Sequence, residues 1–167
     1  MTEKRALIED LLFFLTKLGI CILFGFLIFK FVFGIFRVPD DSMVPAVKNG
    51  DLVVYYRMQK DFRVGDPIVV KEDDRLQVRR IVAVSGDTVE ITEEGLKVNG
   101  YIQQETEIYT DTLPYAEGIR FPLTVPDGSY FVLADYRENT TDSRIYGTVT
   151  EDEIQGSVLT LLRTRGI

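Results

Sequence analysis

The sequence contains no histidine and only one cysteine, Cys21. The lack of histidine excludes Ser-His-Asp and Cys-His catalysis and argues against a zinc hydrolase, because imidazole is a usual base and ligand in those sites. A single cysteine forms no disulfide within the chain and no cysteine-based metal site. Any hydrolase built on this chain must therefore take its base from Lys, Asp, Glu or a chain terminus.

Acidic residues outnumber basic ones, 26 to 19. The formal net charge is -7 and the sequence pI is about 4.7, which argues against a nucleic-acid-binding surface. The 167 residues are enough for one soluble domain and an anchor, and they contain no internal repeat. No cofactor and no metal is implied.

A long apolar run covers residues 11–36, interrupted by Thr16, Lys17 and Lys30. A bilayer core needs about 20 apolar residues in a helix, so the run is long enough to span. A buried core helix apolar on every side would be too long for a domain of this size to bury. A cleaved secretory signal is disfavoured, because no small-x-small site follows the run before Arg37. We predict a tail over 1–10 and an uncleaved transmembrane anchor over 11–36.

The rest of the chain has the pattern of β-structure. Short runs rich in β-branched and aromatic residues alternate with Gly-Asp, Asp-Pro and Asn-Gly turn signals. They predict strands over residues 52–56, 68–70, 76–84, 88–92, 96–98, 130–134 and 157–162. Residues 100–124 are polar and predict an irregular surface excursion. The fold class is therefore mainly β, a small antiparallel domain over 37–167 on one N-terminal helix.

Residues 39–51 lie between the anchor and the first predicted strand, and Ser42 stands at their bend. A protease that cuts peptides emerging from a membrane needs its nucleophile at such a place. The simpler interpretation is a solvent-exposed loop serine. Taken singly, Gly50-Asp51 and Gly86-Asp87 are typical of ordinary turns, and Asp142 with Arg144 of a surface ion pair.

Four blocks in order resemble one family. They are the apolar anchor, residues 39–51 with Ser-Met-x-Pro and a following Gly-Asp, residues 79–89 with Arg-Arg, a hydrophobic run and Gly-Asp, and residues 134–144 with Asp-Ser-Arg. The chain is similar in these blocks to the type I signal peptidases, membrane-anchored serine endopeptidases of the Ser/Lys type. The resemblance covers nearly the whole chain except residues 100–124.

The resemblance implies that Ser42 is the nucleophile and that its backbone N–H is one oxyanion donor. The family often has a second, hydroxyl donor two residues earlier, where this chain has Asp40. An ionised carboxylate cannot donate, so the second donor is left open. Met43 and Pro45 would shape the wall beneath the nucleophile.

Further residues follow from the same resemblance. Asp142 and Arg144 would form a buried structural ion pair. Thr140 stands where the family has a serine that hydrogen-bonds the base. The base itself is a lysine in the family, and here its position holds Arg79.

The implied substrates are exported preproteins or pilins, bound as extended peptides with small residues at the first and third positions before the cut. The implied location is a cell membrane crossed once, with a cytoplasmic N-terminus and an extracytoplasmic domain. The short middle region resembles compact Gram-positive members.

Arg79 conflicts with the implied activity. Burial can lower the pKa of a lysine from about 10.4 toward neutrality, whereas an arginine stays protonated and accepts no proton from a serine. Three explanations stay open. The chain is a Lys-to-Arg variant of a competent peptidase, or a naturally impaired homologue such as the helpers of pilus assembly in Gram-positive bacteria, or it uses another base, such as Lys71 or an ordered water.

Two other functions compete with the peptidase. One is a membrane-tethered module that binds an extended peptide by β-augmentation and never cuts it. The other is a self-cleaving repressor-type Ser/Lys domain, against which the apolar anchor argues.

Overall fold

The computed structural model describes residues 2–163, as two helices and eleven strands. Their bounds are α1 Thr2–Phe31, β1 Phe33–Arg37, β2 Leu52–Tyr56, β3 Pro67–Glu72, β4 Arg75–Val84, β5 Thr88–Thr92, β6 Gly95–Val98, β7 Tyr101–Ile102, β8 Leu123–Thr124, β9 Ser129–Leu133, α2 Ser143–Tyr146, β10 Val149–Thr150 and β11 Ile154–Leu162.

Helix α1 carries apolar side chains on all sides, and most of them are exposed. Its segment Leu7–Phe31 is long and apolar enough to cross a membrane. An exposed helix of this composition is stable only in an apolar surrounding, because water would face uncovered Leu, Ile and Phe side chains along its length.

The anchor predicted over residues 11–36 differs from the structure at both ends. The helix already begins at Thr2, within the predicted tail, and ends at Phe31. Residues 33–37 form strand β1, which pairs antiparallel with β2. A Cβ on Gly34 would lie 2.1 Å from the ring of Tyr55, so only glycine lets the chain pack this closely against β2 directly after the helix.

The strands form two antiparallel sheets. The larger has seven strands in the order β1-β2-β11-β3-β4-β9-β10, and the smaller has four in the order β7-β6-β5-β8. Their inward faces bury three apolar clusters, in which Val, Ile and Leu predominate. The prediction of a mainly antiparallel β domain with one N-terminal apolar helix is confirmed.

The predicted strands all have counterparts, and four short ones, β1, β7, β8 and β10, were not anticipated. Residues 100–124 are irregular in their middle but begin and end as strands β7 and β8 of the small sheet. Two-residue strands carry too short an alternation of apolar and polar residues for a sequence pattern to reveal them.

Three segments that are distant in sequence meet at one end of the large sheet. They are the turn between β1 and β2 (residues 38–51), the middle of β4, and the loop over residues 134–142 that follows β9. The turn is closed at its base, where the N–H of Val38 donates to Asp51 O and the N–H of Gly50 donates to Val38 O, both at 2.9 Å.

Candidate active site

Ser42 lies in the turn between β1 and β2, five residues after the end of β1. It is 9% exposed. Its carbonyl accepts a hydrogen bond of 2.9 Å from the N–H of Tyr136, which ties the turn to the 134–142 loop. This backbone contact holds the serine against that loop.

Met43 and Pro45 lie on opposite sides of this turn. Met43 is fully buried among Val53, Val69 and other core residues, and its sulfur accepts from the N–H of Asp135 at 3.3 Å. Pro45 is exposed. Met43 thus forms the floor under Ser42, while Pro45 lies on the outer surface of the turn.

Arg79, in the middle of β4, reaches the serine directly. Its Nη1 donates to the Oγ of Ser42 at 3.0 Å, across a sequence separation of 37 residues. Nη1 also donates to Val78 O at 2.6 Å, and Nε and Nη2 donate to Thr141 O at 3.1 and 2.7 Å. Arg79 is 2% exposed, and these four hydrogen bonds fix the position of its guanidinium.

The backbone N–H of Ser42 donates to the Oδ1 of Asp40 at 3.0 Å. This N–H is the group to which the family resemblance assigns the stabilisation of the oxyanion. In this structure the N–H already donates its hydrogen bond to the carboxylate of Asp40, which belongs to the same turn. Asp40 itself is exposed, so its side chain is free to move away from the N–H.

Asp142 and Arg144 form a buried, doubly hydrogen-bonded pair, with Nε to Oδ1 at 2.9 Å and Nη2 to Oδ2 at 2.8 Å. Asp142 also caps α2 and accepts from the N–H of Ala134. Arg144 donates to Leu113 O and stacks 4.5 Å from the ring centre of Tyr115. The pair therefore links the 134–142 loop to the 103–119 segment.

The resemblance implies that Thr140 hydrogen-bonds the residue at the base position, but in the structure Thr141 makes that contact. The hydroxyl of Thr140 donates to Tyr136 O at 3.0 Å, within its own loop, and the contact to Arg79 comes from the carbonyl of Thr141. The N–H of Thr140 donates to the hydroxyl of Tyr115 at 3.0 Å. Tyr115 thus fixes the residue next to the one that holds the guanidinium.

Two further ion pairs support the site and were missed in the sequence. Arg80 makes a two-pronged contact with Asp135, at 2.8 and 2.6 Å, which raises the pKa of Arg80 above its ordinary value. Buried Arg137 donates to Glu105 and so holds the 103–119 segment. Arg80, Asp135 and Arg137 lie inside the recognised blocks, but nothing in the sequence indicates that Glu105 is a partner.

Lys71, the candidate substitute base, lies elsewhere. Its amine pairs with Asp74 at 2.6 Å near the end of β3, opposite Leu76. Arg79 stands opposite Ile68, three residues further along the ladder, or about 10 Å at 3.3 Å per residue. The structure thus brings Arg79 against Ser42 and directs Lys71 to a half-exposed surface pair.

A tyrosine hydroxyl lies near the guanidinium. The oxygen of Tyr146 is buried and has no hydrogen-bond partner among residues 2–163. Burial raises the pKa of Tyr146 well above its ordinary value, although the nearby charge of Arg79 opposes that rise. The phenol is therefore neutral at physiological pH and supplies no negative charge to Arg79.

Comparison with known proteins shows the family of this chain. The family described as "Signal peptidase, peptidase S26" matches residues 11–162. Signal peptidase I S of Bacillus subtilis (strain 168) is 30% identical over 94% of this chain and 89% of its own length. Signal peptidase IB of Staphylococcus aureus (strain Mu50) is 29% identical over 90% and 88%.

A solved signal peptidase I from Enterococcus faecalis V583 is 28% identical, with a TM-score of 0.47, over 60% of this chain and 98% of that one. The family match includes most of α1, the Ser42 turn, β4 and the 134–144 segment. The chain therefore belongs to the signal peptidase family, peptidase S26, and within it to the type I signal peptidases.

Proposed function

We propose that this chain is a membrane serine endopeptidase of the signal peptidase I type, with Ser42 as nucleophile and a turnover that Arg79 strongly lowers. The observation that supports the proposal most directly is the contact of 3.0 Å between Arg79 Nη1 and Ser42 Oγ. The residue at the base position contacts the nucleophile, so the distance between them suits the reaction. An arginine, however, cannot accept the proton of the serine.

The impairment follows from the direction of that hydrogen bond. Catalysis needs Ser42 to give its proton to a neighbouring base as the oxygen attacks the scissile carbonyl. A guanidinium is already fully protonated and has no acceptor atom, so the hydroxyl oxygen accepts instead. Arg79 therefore cannot take the proton of Ser42, and the proton has no recipient.

The proposed substrates are exported preproteins, presented as extended peptides close to the membrane. Ser42 follows α1 by only eleven residues, five of them in β1, so the nucleophile stays near the end of the helix. We propose that α1 spans the membrane with its N-terminus in the cytoplasm and that the β domain lies outside, as in a Gram-positive cell. The peptide would carry small residues at the first and third positions before the cut.

The experiment that tests this proposal is the change Arg79→Lys. A lysine amine in the same buried position has a lowered pKa and can take the proton of Ser42, so turnover should rise about 10²- to 10⁴-fold. The assay measures cleavage of a preprotein with an Ala-x-Ala site by the full chain in detergent micelles. The double change Ser42→Ala, Arg79→Lys is the matched control and should give no product.

Cleavage that persists after Ser42→Ala, or an unchanged rate in a folded Arg79→Lys protein, would contradict this mechanism. Near-ultraviolet circular dichroism reports whether the lysine protein has kept its tertiary packing.

A second candidate function is a peptide-binding module, such as one that holds pilins during pilus assembly. The observation that favours it is again the hydrogen bond from Arg79 to Ser42, in which a guanidinium that accepts no proton occupies the position of the base. Peptide binding by the unchanged chain, with no cleavage even at long incubation, supports this candidate over a slow peptidase.

A further inference from the structure

The guanidinium of Arg79 lacks a negative partner within the described residues. The other two buried arginines there each face a carboxylate, Arg137 that of Glu105 and Arg144 that of Asp142. None of the ion pairs within residues 2–163 includes Arg79. A buried charge without a counter-ion is costly, so this position favours an anion from outside the domain.

The acceptors around Arg79 are all neutral. They are the carbonyls of Thr141 and Val78 and the hydroxyl of Ser42. The hydroxyl of Tyr146, which lies near the guanidinium, has a pKa that burial raises above its ordinary value and is uncharged at physiological pH. The full positive charge of the guanidinium thus remains at the site, one hydrogen bond behind the serine.

The hydroxyl of Ser42 lies directly against this charge, and Ser42 keeps a small exposed fraction. Its oxygen accepts from Arg79, and the hydroxyl has no acceptor for its own hydrogen among residues 2–163. A serine hydroxyl donates one hydrogen and accepts others. Because its oxygen already accepts from a cation, the free hydrogen is a polarised donor that suits a negatively charged acceptor.

The anion that this position would meet is a peptide carboxylate. A peptide that has already been cut ends in a carboxylate at the carbon that Ser42 would have attacked. Such a product, bound like a substrate, places its terminal oxygens next to the serine hydroxyl. An uncut peptide places a neutral carbonyl there.

We propose that Ser42 and Arg79 form a binding site for the free C-terminal carboxylate of a peptide with small terminal residues. This inference rests on the proposed function for the way the peptide lies in the site. According to this inference, the unchanged chain binds the cut peptide more tightly than the intact preprotein.

Asp40 opposes this binding. Its carboxylate accepts from the N–H of Ser42 at 3.0 Å and repels a second carboxylate at the same turn. The change Asp40→Asn removes that charge and keeps the side-chain oxygen. It should therefore tighten the binding of the acid peptide and leave the binding of an amidated peptide nearly unchanged.

The test measures fluorescence anisotropy of a labelled peptide ending in Ala-Ser-Ala, either as the free acid or as the C-terminal amide. The protein is the full chain in detergent micelles. We expect the acid to bind about tenfold or more tightly than the amide, since a hydrogen bond to a charged group is worth more than a neutral one. Arg79→Gln should abolish this preference.

Three further proteins complete the experiment. Arg63→Gln removes one positive charge at an exposed side chain and should keep the preference. Ser42→Ala keeps the charge and removes the donor, so it should reduce the preference only in part. Arg79→Lys should prefer the acid at low pH and lose that preference as rising pH neutralises the amine.

Equal affinity for acid and amide in the unchanged chain would overturn the inference, as would a preference that survives Arg79→Gln or binding of neither peptide. If Arg79→Gln fails to fold, Ser42→Ala and the pH series with Arg79→Lys still decide the question. Cleavage by Arg79→Lys is measured separately, so the proposed function can stand where this inference fails.

Discussion

At residue 79 a guanidinium and an amine differ in the ability to lose a proton near neutral pH. Both side chains can reach the oxygen of Ser42 from the middle of β4. An amine without its proton has a lone pair that can receive the proton of the serine, whereas the nitrogens of a guanidinium only donate. The chemistry of this site therefore depends on one side chain, while its geometry depends on the whole sheet.

The pH dependence of the Arg79→Lys protein follows from this difference. The neutral amine is the active form, so kcat should rise with pH through the pKa of the lysine and then level off. Burial disfavours the charged amine, and the midpoint should lie below the ordinary lysine value of about 10.4. Stopped assays of preprotein cleavage over a pH series measure it. A rate that falls as pH rises would exclude lysine as the base.

Asp40 is the second residue that limits the chemistry of Ser42. Its carboxylate occupies the backbone N–H that a peptidase uses for the developing oxyanion. A substrate oxygen must displace it before that N–H can act. An ionised carboxylate also offers no hydrogen of its own.

In the Arg79→Lys background, Asp40→Ser should raise kcat about tenfold or more, because one oxyanion donor is worth roughly 10²–10³ in rate. The serine frees the N–H and adds a hydroxyl donor. The control Asp40→Ala frees the N–H without adding a donor and should give a smaller gain. Equal kcat for all three proteins would mean that neither donor contributes.

The loop over residues 134–142 and the 103–119 segment behave as one structural element. Arg137 and Arg144 reach from the loop side to Glu105 and Leu113, and the hydroxyl of Tyr115 holds the backbone of the loop in return. These contacts fix the carbonyl of Thr141, which accepts from Arg79. The irregular 103–119 segment therefore helps to position the active-site residues.

Asp142→Ala should lower the free energy of unfolding by about 3–5 kcal/mol, because it leaves the buried charge of Arg144 without its partner. Thermal or denaturant unfolding of the full chain in micelles measures the change. The control Asp61→Ala breaks the exposed pair with Arg63 and should change stability by less than about 1 kcal/mol. Similar losses for both changes would contradict a special role of the buried pair.

On the scale of the whole molecule, the helix and the sheet are joined with no flexible linker. Strand β1 begins two residues after α1 ends and enters the edge of the large sheet. With α1 placed in the membrane as proposed, this short connection would hold the β domain close to the membrane and limit the distance a bound peptide must extend to reach Ser42.

Removal of residues 1–31 should release the chain from membranes and leave the β domain folded, because the core clusters contain no residue of α1. Carbonate extraction of membranes and circular dichroism of the shortened protein measure these two outcomes. Protease added outside intact cells should digest the β domain of the full chain. Protection of that domain would reverse the proposed orientation.

Much of the molecule could be predicted from local patterns. The apolar run indicated α1, and alternating β-branched residues with Gly-Asp turns indicated the main strands. The motifs also singled out Ser42, Arg79, Asp142 and Arg144. The end of α1 was predicted too late, because Phe33 to Phe36 are as apolar as the helix and only pairing with β2 makes them a strand.

The sequence alone determined the chemistry available to this protein: no histidine, one serine in a recognisable turn, and an arginine where a lysine would serve as base. Tertiary structure decided which groups meet. It placed Arg79 against Ser42, gave Thr141 the contact expected of Thr140, and paired Arg137 with Glu105. These contacts join residues far apart in the chain, and their partners are chosen by strand register and burial, which no local pattern of residues encodes.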